Sequence, residues 1–514
     1  MKYDVIVIGA GSGGCVVASR LAEDANRSVL LLEAGPDYPD YQYYPDDLKY
    51  GYKPDASAQG APHNWTWWAQ GSAEQANMLP APRGKVVGGT SAINGQVLLR
   101  GVPEDYDGWA AAGNDQWSFL DVLPFFRKME TDLDISDDFH GSEGPIPVRR
   151  FKAEDWLPFQ QAFVQSSLAA GYPEDYDMNA PDSGGVGPIP MNNPEGVRMS
   201  TALTFLSAVR HRLNLTVRAN VMVHRILFEG KKAVGVEVES GGEVYQIEAG
   251  QIVLSAGSMA SPQLLMLSGV GPADHLRELG IPVVHELPGV GQNLRDHPIV
   301  AVICQVRDDH PQDPLAPRSQ TALRYTATGS ADRNDMQITA SSFSSPIGGA
   351  DPFDPEGVRF NCILELADGA GQVRLSANDP SVQPSLNYRY LELARDRERL
   401  RESVRITVDL LRHESFSPIV ERILQPTEED LASDEALDNW MLRTVFNTTH
   451  ASGTCKMGPA TDAMAVVDPF LNIHGLINVK VADASVMPNV IRANTNCTTI
   501  MIGERCADWV KAGQ

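Results

Sequence analysis

Two stretches at opposite ends of the chain carry residue types suited to chemistry. Near the C-terminus, His450 opens His450-Ala451-Ser452-Gly453-Thr454, and Ala493-Asn494-Thr495-Asn496 follows it. A histidine with an ordinary pKa of about 6.5 can be neutral at physiological pH and accept a proton. An asparagine amide can hold an oxygen in place beside it. Near the N-terminus, Val5-Ile6-Val7-Ile8 runs into Gly9-Ala10-Gly11-Ser12-Gly13-Gly14, and Glu33 follows. Gly9, Gly11 and Gly14 have the spacing G-x-G-x-x-G of a dinucleotide fingerprint. One end thus predicts a dinucleotide cofactor, the other a base and its partner. Together they point to a flavoenzyme that takes a hydride from an alcohol.

The elements that must position these groups are legible around them. Tyr3–Ile8 is a mostly apolar, β-branched run, as in a parallel strand buried on both faces. The first glycine permits the tight turn, the second lets backbone approach a pyrophosphate, and the third lets the helix pack on the strand. The helix that begins there directs its free N–H groups at the phosphates. A second apolar strand, Val29-Leu30-Leu31-Leu32, ends at Glu33, about 20 residues beyond the third glycine, where a carboxylate can hold a ribose hydroxyl. That carboxylate disfavours NADP. Arg83–Gly95 forms a second glycine loop, in which Gly88-Gly89 gives backbone freedom and Thr90, Ser91 and Asn94 supply polar contacts, suited to close approach along the cofactor. Strands are expected over Leu215–Phe228, Val234–Val238, Gln251–Gly257 and Asn478–Asp483, and an amphipathic helix over Leu391–Arg412. Residues 300–350, rich in Asp, Pro, Ser and Gly, read as surface loops. The Trp65–Trp68 segment reads as a loop anchored in the core. A final helix is expected from about Thr498, its N-terminal end and Thr495 facing the flavin or the phosphates.

The 514 residues are enough for two or three domains. The net charge of −24 argues against a nucleic-acid partner and suits a solvated acidic surface. Six scattered cysteines show no metal-ligand spacing and predict free thiols and no metal site. Cys455 and Cys497 lie close to the reactive loops but are read as packing residues. The absence of a long apolar run predicts no membrane span, and the direct entry of Met1-Lys2 into the first strand predicts no signal peptide and a cytoplasmic protein.

Several motifs in order resemble the glucose–methanol–choline (GMC) oxidoreductases over essentially the whole chain. Gly84-Lys85-Val86-Val87-Gly88-Gly89-Thr90-Ser91-Ala92-Ile93-Asn94 is similar to that family's first signature, and Gly257–Gly271 to its second. Pro288–His297 and Val481–Pro488 resemble further family stretches. The closest wording is that of hydroxymethylfurfural and aryl-alcohol oxidases, with Ile502–Asp508 similar to choline oxidases and dehydrogenases. The resemblance implies an α/β fold. A Rossmann-like FAD domain would be built from residues 1–150, 205–298 and 464–514. A substrate domain, an antiparallel sheet with flanking helices, would comprise residues 151–204 and 299–463.

The resemblance also implies that Gly9, Gly11, Gly14 and Glu33 hold the ADP half of FAD and that Val223 meets adenine. It places Gly88, Asn94, Gly95 and Val97 along the isoalloxazine, and Asp483 near the pyrophosphate and ribityl chain. Some members attach FAD through a histidine just before the signature asparagine. Ile93 stands there, which predicts non-covalent FAD. By the same resemblance His450 takes the hydroxyl proton and Asn494 positions the alcohol oxygen. Hydride passes to flavin N5, and O2 or another acceptor reoxidises the flavin. His297 and His474 are read as structural; His63 is a lesser candidate for reaching the site. No clear carboxylate and aromatic cage for a trimethylammonium group is visible, Glu365 being the one carboxylate considered, so a neutral primary alcohol, aromatic or furanic, is favoured. Choline or sugar oxidation and a hydroxynitrile lyase on the same fold are the alternatives. The oligomeric state is left open.

Overall fold

The computed structural model describes residues 2–51, 54–310, 313, 315–343 and 357–514. Strand Lys2–Ile8 is central because its last four residues are buried. Val29–Leu32 pairs with it on one side and Glu243–Leu254 on the other, both parallel. Leu215–Arg218 extends the sheet beyond Val29–Leu32, and Val479–Val481 lies beside Ile252–Leu254, again parallel. The long strand Glu243–Leu254 thus forks the sheet. Its first half pairs antiparallel with Lys232–Ser240, which in turn pairs with Met222–Glu229. Its second half carries Val479–Val481 instead. Such a sheet binds ligands at the C-terminal ends of its parallel strands. Those ends are Ile8, Leu32, Leu254 and Val481, and Gly9, Glu33, Ser255 and Ala482-Asp483 follow them.

Helix Ser12–Leu21 starts from the glycine turn and packs against the last helix, Thr495–Lys511. Gly503 makes the approach possible: a Cβ there would meet Gly13 O at 2.9 Å. An ion pair from Arg20 to the buried Glu504 (2.7 Å) closes the same crossing.

A second sheet is antiparallel. Its order is Val420–Gln425, Pro298–Val306, Val358–Leu364, Met336–Ser341, Thr321–Tyr325 and Gly185–Pro188. Period-2 alternation divides its two faces. Met336, Ile338, Ala340, Phe360, Cys362 and Leu364 form a core with helices Pro158–Ala169 and Ala394–Leu410. Phe159 packs on Phe360 at a ring separation of 4.9 Å. Gln337, Thr339, Ser341, Arg359, Asn361 and Ile363 turn to the other face and line a cavity.

The expectation of surface loops across 300–350 is therefore corrected. Pro298–Val306, Thr321–Tyr325 and Met336–Ser341 are strands of this sheet. The cavity-facing positions of Met336–Ser341 are the polar Gln337, Thr339 and Ser341, which makes that part look like loop. The polarity belongs to an internal surface. Part of that stretch, residues 311–312, 314 and 344–350, lies outside the described residues. The helix expected over Leu391–Arg412 is Ala394–Leu410, and the last helix starts at Thr495. Among the described residues no helix is long and apolar enough to cross a membrane. All six cysteines are buried and unpaired.

Gly14 shows how tightly the glycine turn is built. An added Cβ would lie 1.9 Å from Gly9 O, a rigid backbone atom. Gly14→Ala is expected to cost about 2 kcal/mol or more in stability through this overlap, read as a lowered midpoint of thermal unfolding.

Candidate functional site

One cavity of about 910 Å³ joins the two sheets. Its far end is the glycine turn: Gly9, Gly11, Ser12, Gly13 and Glu33 line it. Glu33 sits at the end of its strand with both oxygens fixed, Oε2 accepting from Ala10 N (3.0 Å) and Oε1 from Gly35 N (2.9 Å). Burial pushes its carboxyl up to about 7 against these hydrogen bonds. Gly89 packs so closely that a Cβ on it would meet Gly11 Cα at 2.5 Å, so main chain faces main chain where the two glycine loops cross. Asn94, Gly95, Val97 and Val223 also line the cavity.

Gly14 and Gly88 do not line it. Gly14 acts by packing, and Gly88, at φ 104°, donates its N–H to Ala10 O at 2.7 Å. Of the glycine pair, Gly89 is the wall residue. Asp483 lies at the mouth of the central strands. Its Oδ2 accepts from Gly257 N (2.9 Å) and Ser261 Oγ (2.6 Å), and Oδ1 accepts from Ser485 N (2.8 Å). Ser12 Oγ donates to Asn496 Oδ1 at 2.7 Å, tying the starts of the first and last helices together. Both helix N-termini therefore open on one cavity, Thr495 among its lining, which suits an anionic pyrophosphate.

The near end holds His450 and Asn494. Asn494 is the cap residue of the last helix, and its Nδ2 lies 3.0 Å from His450 Nε2. On the other side of the ring, His450 Nδ1 lies 2.9 Å from His297 Nδ1. Only one of these facing nitrogens can carry the shared proton. His297 Nε2 donates to Ile491 O at 2.8 Å, which leaves His297 Nδ1 as the acceptor. His450 therefore carries its proton on Nδ1, and its Nε2 accepts from the Asn494 amide at the cavity wall. Burial, reinforced by His297 and Arg83, holds the His450 imidazole well below the ordinary histidine value. The base is thus neutral and ready to accept a proton.

Asp296 holds this pair. Its Oδ1 accepts from the backbone N–H of His297 (2.8 Å) and of His450 (2.9 Å) and from Thr448 Oγ1 (2.6 Å), while Tyr390 donates to Oδ2 (2.9 Å). Arg83 donates to Thr449 O at 2.8 Å, clamping the residue before the base, whose φ is +64°.

His297 was read as structural from sequence, and the structure sets it directly against the candidate base. No local signal marks it, because its partner lies 153 positions away. His474 is structural, bonded to Gly458 O at 3.0 Å. His63 does not line the cavity; it pairs with Tyr38 Oη (2.8 Å) and Asp47 (3.1 Å). Cys455 and Cys497 are buried away from the cavity lining. Trp67 is a core residue as expected, but it and Trp65 also form cavity wall. Sequence reasoning missed Ser255–Met259 and the row from Gln337 to Ser341 as wall residues.

Family models named GMC oxidoreductase match residues 3–299 and 367–503. The chain is a GMC oxidoreductase. It is 36% identical over 504 residues to an uncharacterised GMC-type oxidoreductase of Rhodococcus erythropolis, covering 98% of this chain and 97% of that one. It is 37% identical to an oxygen-dependent choline dehydrogenase of Pseudomonas savastanoi, covering 100% and 94%. The solved pyridoxine 4-oxidase from Mesorbium loti superposes with a TM-score of 0.91 at 29% identity, covering 99% of each chain. GMC oxidoreductases are FAD-dependent flavoproteins. The cavity's shape fits that cofactor: a main-chain cradle and a carboxylate at one end, a base at the other.

Proposed function

We propose that this GMC oxidoreductase oxidises a neutral primary alcohol, aromatic or heteroaromatic, to the aldehyde. The observation that carries this reading is the pairing of a lone-pair Nε2 on His450 with the Asn494 amide, in a cavity continuous with the dinucleotide cradle. Gly9, Gly11, Glu33, Gly89, Asn94, Gly95, Val97, Val223, Asp483 and Thr495 would hold FAD, with Gly14 and Gly88 shaping the turns behind them. Residues 1–150, 205–298 and 464–514 form the cofactor domain, and 151–204 with 299–463 the substrate domain. Ile93 lines the cavity just before Asn94 and offers no nucleophile, so FAD is held without a covalent bond. When bound, the flavin supplies the hydride acceptor.

The alcohol oxygen displaces the 3.0 Å hydrogen bond between Asn494 and His450 and takes its place between the two side chains. Its O–H donates to His450 Nε2, and Asn494 Nδ2 donates to the oxygen's free lone pair. His450 takes the proton as the carbon loses hydride, which avoids building positive charge on the alcohol oxygen. Fixing the oxygen by two contacts aligns the carbinol hydrogen for transfer. The sheet above the site supports a neutral, partly polar substrate. Gln337, Thr339, Ser341 and Asn361 offer hydrogen bonds, and Ile299, Ile363, Phe343 and Phe446 offer apolar contact. Arg318 and Arg359 line the same wall. Similarity to a pyridoxine 4-oxidase favours a hydroxymethyl group on an aromatic ring. The choline dehydrogenase relatives make choline the second substrate to test.

Anaerobic stopped-flow mixing with benzylic, furanic, pyridinic, sugar and choline alcohols tests the reading. Bleaching of the oxidised flavin band is expected with the aromatic alcohols; no bleaching with any alcohol moves the assignment toward lyase chemistry. Adding oxygen afterwards reports whether O2 is the acceptor. His450→Ala is expected to slow reduction by about a thousandfold or more. Asn494→Ala should keep FAD bound and lose about ten- to a hundredfold. Acid or heat denaturation followed by ultrafiltration should release all yellow cofactor into the filtrate; colour retained with the protein would refute non-covalent attachment.

A further inference from the structure

Glu365 lies behind the histidine pair and takes no part in the mechanism so far. It follows the strand Val358–Leu364, is 3% exposed and also borders the cavity. Its Oε2 is buried and accepts no hydrogen bond among the described residues. That oxygen lies 3.4 Å from His297 Nε2, the nitrogen that donates to Ile491 O. A buried carboxylate oxygen with no donor is costly unless a charge arrives to meet it.

We propose that Glu365 is a positioning residue that receives, as counter-ion, the positive charge created when the alcohol proton is captured. The inference rests on the alcohol-oxidation reading. The alcohol O–H bond breaks and its proton forms an N–H bond at His450 Nε2. The proton on His450 Nδ1 passes across the 2.9 Å contact to His297 Nδ1. The two electrons of the carbinol C–H bond leave with the hydride to the flavin, and the aldehyde remains. His450 ends neutral, with its proton on Nε2. His297 ends as imidazolium, still donating to Ile491 O, with Glu365 Oε2 beside it. The proton is thus drained one ring deeper than the site of its capture. Asp296 is the other carboxylate near the pair, but its oxygens already receive the four donors named above.

The charges that face Glu365 set when it can act. They are His297 and Arg324, which favour its ionised form, and Asp105 and Asp296, which oppose it. Asp105 is paired with Arg492 at 2.7 Å. Burial dominates and raises the Glu365 carboxyl above its ordinary value, so the carboxylate is present only above that raised value. The rate of anaerobic flavin reduction should therefore rise with pH through the Glu365 titration, above the fall caused by His450 protonation at lower pH.

Glu365→Gln keeps the shape and removes the charge. The variant is expected to bind FAD and melt like the parent, to reduce about tenfold or more slowly at pH above the parental Glu365 titration, and to lose the upper of the two acid limbs. Glu365→Asp should recover part of the rate and shift that limb. Infrared difference spectra of the resting enzyme on acidification give a readout independent of turnover: a protonated-carboxyl band should be missing from Glu365→Gln. A Glu365→Gln enzyme with the parental rate and pH profile, or parental infrared titration, overturns the proposal. Were His450→Ala also to reduce normally, the alcohol-oxidation reading itself would fail; an inactive His450→Ala beside an unchanged Glu365→Gln refutes the counter-ion alone.

Discussion

The site depends on one buried carboxylate. Asp296 gathers the backbone N–H groups of His297 and His450, the Thr448 hydroxyl and the Tyr390 phenol. These donors come from three places in the sequence: His297 beside Asp296 itself, Thr448 and His450 in one loop, and Tyr390. Remove the acceptor and two buried N–H groups lose their partner, at a cost of about 1–3 kcal/mol each. More than stability is at stake, since the rings attached to those backbones must face each other within hydrogen-bond reach. The carboxylate does not touch the cavity's reacting end itself. It fixes where the two imidazoles start, and the Ile491 carbonyl then decides which nitrogen carries which proton.

Much of the cofactor end was legible in sequence because its signals are local. A β-strand, a glycine turn, a helix and a second strand ending at Glu33 are contiguous, and each demands a particular residue type. Gly14 is glycine because Gly9 O stands where its Cβ would be, and that constraint can be read from spacing alone. Gly88 and Gly89 were harder to separate. The pair is visible as a turn, but which member faces the ligand depends on Gly11, which lies far away in the chain.

The substrate end was far less legible. Period-2 alternation is a guide when one face meets a core and the other meets water. In Met336–Ser341 one face meets a core and the other an internal cavity, so Gln337, Thr339 and Ser341 mimic an exposed loop. His297 and Glu365 are each visible in the sequence, but nothing local links one to the other. Their meaning arises only when Pro298–Val306 and Val358–Leu364 pair antiparallel and bring Glu365 beside the start of the neighbouring strand. Whole-chain resemblance supplied the sheet in advance; it did not supply the residues on its inner face.

The cofactor cavity draws its wall from residues 9, 11–13, 33, 89–90, 93–97, 221–223, 255–259, 483, 494–496 and 499. This has a consequence for how the cavity comes to exist. The strand Val479–Val481 and the capped start of the last helix are far in sequence from the glycine turn that they complete. Without them the glycine turn would face an open trough with no floor at Asp483 and no second helix end. The first parallel strands alone therefore cannot enclose a nucleotide, and the packing of the last helix on the first is what turns an open sheet edge into a closed cradle.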